Sequence, residues 1–264
     1  MKASVCDNGE RVFIESIPKL NWKEGRDTSF IGSSLLILNA LGERVEYGYL
    51  MGISSAAFRF HFHPDWCPSA GDVTTGFDVS GGLFKSLGYA YETVIIDDSS
   101  FDEIRSLYQR LIHQINRGIP VPGINLKVCP EWGIITGYLK KRPGLLCRTY
   151  FDETSDYSLA VKLGKTDRFE EYRSGLSAFR LWIEELRKHA QLVEPGVFEH
   201  HEVHLTLFNC LLDARKAALN FLSQTGLMYG TGIVTGLYRS MGICTSLFHT
   251  VVNFQASVGS MEAS

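Results

Sequence analysis

The spacing of apolar residues divides the chain into a part with short mixed segments and a part with long helical segments. Short apolar runs between turn residues predict strands, whereas apolar residues three and four positions apart predict helices. Strands are predicted at residues 12–17, in a segment ending at 62, and at 91–97, 119–126, 131–139 and 145–151. Helices are predicted from about residue 29 to Gly42 and at 45–52, 77–88, 100–118, 167–190 and 200–223. This order predicts an α+β domain over residues 1–155, followed by a helical region over residues 156–264.

The stretch RDTSFIGSSLLILNALG, residues 26–42, has the pattern of a buried helix. Asp27, Thr28 or Ser29 can cap its N-terminus, because a side-chain oxygen there accepts a hydrogen bond from a first-turn backbone N–H. Leucines at helical spacing supply the apolar faces, and Gly42 ends the element. We therefore expect a buried helix of about three turns.

The segment SFDEIRSLYQRLIHQINRG predicts an amphipathic helix with clear ends. Ser99 or Ser100 is suited to cap it, and Gly118 is suited to end it. Its apolar stripe consists of Ile104, Leu107, Leu111 and Ile115. One face of this helix should therefore pack on the core, with the other in solvent.

The charge and glycine patterns narrow the classes of partner. The 264 residues carry a formal net charge of −3, and no cluster of Lys and Arg alternates with aromatic residues. Nucleic-acid-binding proteins present a basic surface, so the sequence argues against nucleic acid as a partner. No glycine-rich segment has the spacing of a phosphate-binding loop or a dinucleotide-binding turn, so we predict no cofactor.

The cysteines and the apolar segments bear on the compartment. The six cysteines include no CxxC pair, which argues against a disulfide framework and a thiolate zinc site. The first residues, MKASVCDNGERVFIE, lack the apolar core of a secretory signal. The apolar segment 226–254 is interrupted by Arg239 and His249, so we interpret it as a buried helix and not as a bilayer span. We therefore expect a cytoplasmic protein with reduced thiols and no membrane partner.

The order of segments in residues 10–155 resembles a known family. A helix opened by small polar residues is followed by I-x-x-G-x-P-V, by a strand beginning EWGIITGY, and by a strand ending TYFD. This layout resembles the papain-like fold of the bacteriocin-processing double-glycine peptidases. It is more closely similar to the N-terminal domain family of butirosin biosynthesis protein H, which shares that fold. The remainder resembles the helical C-terminal domain often attached to such proteins.

The resemblance implies positions for a catalytic triad. In the peptidases, a cysteine at the first helix attacks a carbonyl, a histidine on a later strand takes its proton, and an aspartate orients the histidine. Ser29 falls at the cysteine position, Glu131 at the histidine position and Asp152 at the aspartate position. A serine needs a base, and a glutamate of ordinary pKa, about 4.3, is a poor one unless burial raises it. Peptide hydrolysis by the mechanism of the family is therefore not expected.

Three hypotheses of function follow. The first is a catalytically silent papain-like domain, a pseudoenzyme that binds a small molecule, a peptide or an acyl carrier protein in the former cleft. A cleft filled by Phe30 and Trp132 would count against it. The second is an acyltransferase or hydrolase with Ser29 or Cys67 as nucleophile, since the resemblance implies acyl transfer from a carrier-protein thioester to an amine. The third is a homo-oligomer joined through the apolar C-terminal segment.

Two histidine motifs are candidate metal ligands. His61 and His63 project from one face of a strand, and Cys67 is the candidate third ligand. The spacing fixes no fourth ligand, so we favour a half-buried aromatic strand and predict no metal. His200 and His204 lie one helical turn apart in HHEVH, which lacks the HExxH spacing of metalloproteases, so we interpret this segment as polar helix surface.

Overall fold

The computed structural model describes residues 3–95, 100–128, 131–160, 172–189 and 197–225. The strands are β1 Val5–Asp7, β2 Arg11–Ile14, β3 His61–Phe62, β4 Val121–Ile124, β5 Trp132–Leu139, β6 Leu145–Arg148, β7 Ser158–Leu159 and β8 Arg173–Ser174. The helices are α1 Ser29–Ala40, α2 Tyr47–Ile53, α3 Val79–Ser86, α4 Phe101–Asn116, α5 Leu176–His189 and α6 Val197–Gln224. The protein is a mixed α+β structure, as the sequence predicts.

The larger sheet is antiparallel and is organised around β5. Its strands follow the order β1-β2-β5-β6-β7, and β4 pairs with the first half of β5. Because β2 pairs with the second half of β5, β2 and β4 share one edge of β5 and β6 takes the other. A register shift between Ile135 and Gly137 marks a bulge opposite β6. The start of β5, at Trp132, consequently lies near the end of β6.

Helix α1 lies in the centre of the core. Nearly every residue in it is buried, which fits a helix whose apolar residues lie on all its faces. One side of α1 packs with α2 and the later part of the chain, and the other side packs against the sheet. At Gly32 the helix approaches the turn after β6 so closely that a Cβ atom would lie 2.1 Å from the Tyr150 hydroxyl. The N-terminus of α1 is thereby fixed beside the sheet.

Residues on either side of position 155 share one core. Helix α6 packs along α2, where Gly52 leaves space for the ring of Phe221. Strand β3 pairs with β8 in a second, two-stranded sheet, next to an aromatic cluster that α5 and α6 complete. The start of α1 thus lies between the main sheet and α6.

The predicted elements between residues 91 and 118, and the predicted helix at 226–254, compare with the structure as follows. Residues 91–95 form no strand, although the sequence predicts one over 91–97. Val94 and Ile95 are 42% and 64% exposed, so these two residues do not gain the burial that a strand of the core would give them. The capping box of α4 is formed by Ser100 and Glu103. The segment 226–254, interpreted above as a buried helix, lies outside the described residues.

No helix among the described residues is long and apolar enough to cross a membrane.

Candidate functional site

The N-terminus of α1 is held without a side-chain cap. Thr28 occupies the N-cap position but makes no capping hydrogen bond. Its hydroxyl donates instead to the Asp213 carboxylate at 3.4 Å, and its backbone N–H donates to the Tyr47 hydroxyl oxygen at 3.1 Å. The first turn also lacks an acidic residue. The backbone N–H groups of this turn, which carry the positive end of the helix dipole, therefore receive no side-chain acceptor from the cap.

Ser29 is the first residue of α1 and contacts the start of β5. The Trp132 backbone N–H donates a hydrogen bond to Ser29 Oγ at 3.3 Å, and the Ser29 hydroxyl donates to the Glu131 side chain. The loop before β5 is closed by a hydrogen bond from the Asn125 backbone N–H to the Glu131 carbonyl at 2.9 Å. Asn125 has a φ of +62°, a conformation that asparagine tolerates better than most residues. This loop therefore fixes Glu131 beside Ser29.

The environment changes the acidity of Glu131. Burial raises the pKa of Glu131 from 4.5 to about 7; the hydrogen bond from Ser29 opposes this rise, and the nearby Asp72 charge adds to it. Burial disfavours the charged carboxylate, and a like charge does the same. Glu131 consequently exchanges a proton near neutral pH, as a general base must.

Asp72 is held rigidly next to this pair. Its carboxylate accepts hydrogen bonds from the Trp132 indole Nε1 at 3.1 Å, from the Thr74 N–H at 2.9 Å and from the Thr74 hydroxyl at 2.8 Å. The indole bond ties Asp72 to the residue that follows Glu131. Asp72 is a site residue that the sequence analysis did not identify.

The structure brings Ser29 and Glu131 together, but it places Asp152 in a different set of contacts. The Asp152 carboxylate is buried and accepts hydrogen bonds from the Thr149 N–H, the Thr149 hydroxyl and the Arg148 guanidinium. Tyr150 is also buried, and burial, followed by the Glu131 charge, raises the pKa of its phenol. Its hydroxyl donates to the carbonyl of Arg26, just before α1. Asp152 therefore supports the turn after β6.

Cys67, the alternative nucleophile, has its own partner. Its sulfur accepts a hydrogen bond from the Tyr172 hydroxyl at 2.9 Å, at the start of a short 3-10 helix over Pro68–Gly71. The His63 ring lies 4.9 Å from the Tyr172 ring. Cys67 is thus part of the aromatic region between β3 and α6.

His61 and His63 of the first histidine motif make different contacts. His61 Nε2 lies 3.1 Å from the Thr75 carbonyl oxygen, whereas His63 Nδ1 accepts a hydrogen bond from the Asp65 N–H. His204 is 1% exposed, so the predicted polar helix surface is wrong at this position. Within the described ranges, no group of three or more His, Cys, Asp or Glu residues could hold a metal ion.

Helix α6 contributes two residues that the sequence analysis missed. Asp213 is buried, and burial raises its pKa while the Tyr47 hydroxyl donates a hydrogen bond to its carboxylate. Burial, followed by the charges of Glu131 and Asp213, raises the pKa of the Cys210 thiol. Cys210 is therefore a neutral thiol within the electrostatic field of the site. The sequence does contain one indication of Asp213: an aspartate lies among the apolar residues of NCLLDARKAAL, and a charged residue is rarely buried unless it has a partner.

The space around the pair is narrow. Phe30 and Trp132 contact edge to face, with ring centroids 5.0 Å apart at 72°. A small cavity of about 20 Å³ adjoins Thr28, between α1 and α6. Its volume suits one water-sized group.

A scan against protein-family models, a search of curated proteins and a search of solved structures each gave no match.

Proposed function

We propose that the protein is an acyl-transfer enzyme of papain-like architecture, an acyltransferase or a hydrolase, with Ser29 as nucleophile and Glu131 as general base. The observation that carries the proposal is the hydrogen bond from the Ser29 hydroxyl to a carboxyl group whose pKa burial raises to about 7. A base with a pKa near the working pH combines a large ionised fraction with a strong tendency to take a proton. Glu131 therefore has the pKa that a general base needs, which a glutamate of ordinary pKa lacks.

The geometry is suited to the first step of acyl transfer. The Glu131 carboxylate removes the hydroxyl proton while Ser29 Oγ forms a bond to the acyl carbon of the substrate. The carbonyl oxygen becomes an oxyanion, and the uncapped N–H groups of the first turn of α1 are placed to stabilise it. When the intermediate collapses, the bond to the leaving group breaks and the Glu131 carboxylic acid protonates that group.

The second step regenerates the serine. An amine or a water molecule attacks the acyl-serine while the Glu131 carboxylate takes the proton of the attacking group. The bond to Ser29 Oγ then breaks, and the proton returns from Glu131 to the oxygen. Asp72 acts as a positioning residue, because its bond to the Trp132 indole holds the start of β5. Its charge also raises the pKa of Glu131, which makes the Glu131 carboxylate a stronger base.

A second candidate function is a catalytically silent domain that binds a small molecule, a peptide or an acyl carrier protein. It is favoured by the low exposure of Ser29, 8%, and by the Trp132 N–H that occupies one acceptor position of its oxygen. The contact between Phe30 and Trp132 argues against a wide ligand cleft, and it limits an acyl substrate to the same extent. We place acyl transfer first because a binding domain does not require the hydrogen bond between Ser29 and a Glu131 of raised pKa.

The test is intact-mass spectrometry after incubation with a small acyl thioester. We expect an acyl adduct on the wild-type protein and on Cys67→Ala, and no adduct on Ser29→Ala. Glu131→Gln keeps the size of the side chain but accepts no proton, so it should form the adduct at least a hundredfold more slowly.

Ser33→Ala is the matched control, because Ser33 lies on the same helix, is buried and has a hydroxyl without a hydrogen-bond partner. It should form the adduct at the wild-type rate. An adduct that persists in Ser29→Ala, or no adduct on any variant, would overturn the assignment and leave the binding function.

A further inference from the structure

The small cavity next to Thr28 contains one charged side chain among the residues that line it. This side chain is Arg59, and its neighbours in the wall include Ala56, Ala70 and Cys210. His61 also lines the cavity, but burial lowers its pKa to about 4, so it is neutral at physiological pH. The Cys210 thiol is neutral as well, because burial raises its pKa. The cavity therefore presents one positive charge and no negative one.

The guanidinium of Arg59 is held in place by contacts that leave its charge uncompensated. Its Nη2 donates to the Thr75 carbonyl oxygen at 3.2 Å, and the Phe77 ring lies 4.2 Å from its central carbon. His61 Nε2 lies 3.1 Å from the same carbonyl oxygen and 3.4 Å from Arg59 Nη2. Among the described residues Arg59 forms no ion pair, and its buried Nε has no hydrogen-bond partner. A buried N–H group without an acceptor destabilises the folded protein unless a ligand accepts its hydrogen bond.

Arg59 is also connected to the Ser29–Glu131 pair through one tight turn. The Thr75 N–H donates to the Asp72 carbonyl at 3.1 Å, so residues 72–75 form a turn whose ends lie close together. At one end, the Asp72 carboxylate bonds the Trp132 indole beside Glu131. At the other end, the Thr75 carbonyl anchors Arg59. Arg59 and Thr28, the residue before Ser29, both line the cavity.

We infer that Arg59 forms an anion subsite, which binds an oxyanion group, a carboxylate or a phosphate, on the substrate that Ser29 attacks. This inference rests on the proposed function for the identity of the acyl substrate, but the anion site itself is independent of catalysis. A cavity of about 20 Å³ admits one oxygen of such a group. An arginine supplies charge-assisted hydrogen bonds, which are about twice as strong as neutral ones.

The first experiment measures binding without turnover. Full-length Ser29→Ala protein is titrated with glutarate, with inorganic phosphate and with neutral dimethyl glutarate, and the Arg59 Nε–H resonance is followed by NMR. We expect a saturable shift with at least one anion and none with the neutral ester. The anion that saturates at the lower concentration identifies the group as carboxylate or phosphate. No saturable shift with either anion, or an equal shift with the ester, would overturn the subsite.

Variants in the Ser29→Ala background exclude a general charge effect. Arg59→Lys keeps the positive charge and its place over Phe77 but lacks the planar fork, so it should bind the anion at least tenfold more weakly, measured calorimetrically. Arg11→Met is the matched control, because Arg11 also lies over an aromatic ring, Phe13, but has a carboxylate partner in Asp156. Its affinity should equal that of Ser29→Ala alone. Unchanged affinity in Arg59→Lys would refute the inference.

The second experiment uses the wild-type protein. The acylation rate with mono-p-nitrophenyl glutarate is compared with that of its neutral methyl ester, and the preference for the charged ester should fall at least tenfold in Arg59→Lys. An unchanged preference would overturn the role of Arg59 in substrate selection. If Ser29 is not acylated by either ester, the proposed function fails, whereas the NMR titration still decides whether the anion subsite exists.

Discussion

Replacing Asp72 by Asn should lower the pKa of Glu131 and move the pH dependence of acylation toward acid. The amide oxygen of Asn can still accept from the Trp132 indole and the Thr74 hydroxyl, which both donate to Asp72 Oδ2. The amide nitrogen then faces the Thr74 backbone N–H that donates to Oδ1, so the change removes the charge and one acceptor. Burial is the larger cause of the rise from 4.5 to about 7, and the Asp72 charge is the smaller one. The effect of this charge is also smaller than that of the opposing Ser29 hydrogen bond, so removing the charge should lower the pKa by less than about one unit, or less than about 1.4 kcal/mol.

The sign follows from which form of Glu131 is active. A base works as the carboxylate, so acylation increases as pH rises through the Glu131 pKa. With Asp72→Asn the midpoint should fall from about 7 by less than about one unit. The assay is a ¹³C NMR titration of protein labelled at the glutamate side-chain carboxyl, followed by the rate of acylation over the same pH range. Asp65→Asn is the control, because the Asp65 side chain is 83% exposed. A midpoint that stays near 7 or rises in Asp72→Asn would refute the reasoning.

Two further predictions concern stability. Gly32→Ala would place a Cβ atom 2.1 Å from the Tyr150 hydroxyl, so it should lower the free energy of unfolding in urea by about 1–3 kcal/mol. Gly82→Ala is the control, because its Cβ would lie 3.5 Å from the nearest atom, and it should leave the free energy of unfolding unchanged or raise it. An equal loss of stability in both variants would contradict the packing argument. Burial, followed by the charge of His201, lowers the pKa of His204 to about 4, so this histidine contributes stability that is complete above about 6.5 and is lost as pH falls toward 4. Between pH 7 and pH 5, His204→Phe should therefore lose about 2 kcal/mol less stability than the wild type, and an unchanged loss would show that His204 is not buried in its neutral form.

Local signals in the sequence were sufficient for the elements that position Ser29. The apolar run of α1 and its glycine stop predict a buried helix, because burial on all faces requires apolar residues at almost every position. The alternating and β-branched run EWGIITGY predicts β5 in the same way. The α+β class follows from such local patterns. The papain-like identity remains part of the proposal.

The failures come from contacts between residues far apart in the chain. The run at 91–95 has strand-forming residues, but a strand also needs a free neighbouring edge, which no local pattern reports. The pairing of β3 with β8 joins residues more than a hundred positions apart. His204 was interpreted as surface because its burial depends on the packing of α5 against α6, which the sequence of HHEVH alone does not contain.

The same limit applies to the chemistry of the site. The position of Glu131 was predicted through the family resemblance, but its basicity depends on burial and on Asp72, 59 positions earlier in the chain. A reference pKa near 4.3 therefore argued against a role that the folded environment favours. The contacts of Asp152 with Arg148 and Thr149 depend on the turn after β6. The spacing of residues in the sequence could not predict these contacts either.

The most direct measurement is the location of the acyl group after wild-type protein is incubated with an acyl thioester at pH 8, where Glu131 is mostly ionised. Proteolysis followed by tandem mass spectrometry reports the modified residue. We expect a single acyl group on the hydroxyl of Ser29. An acyl group on Cys67, or a protein that remains unmodified, would contradict it.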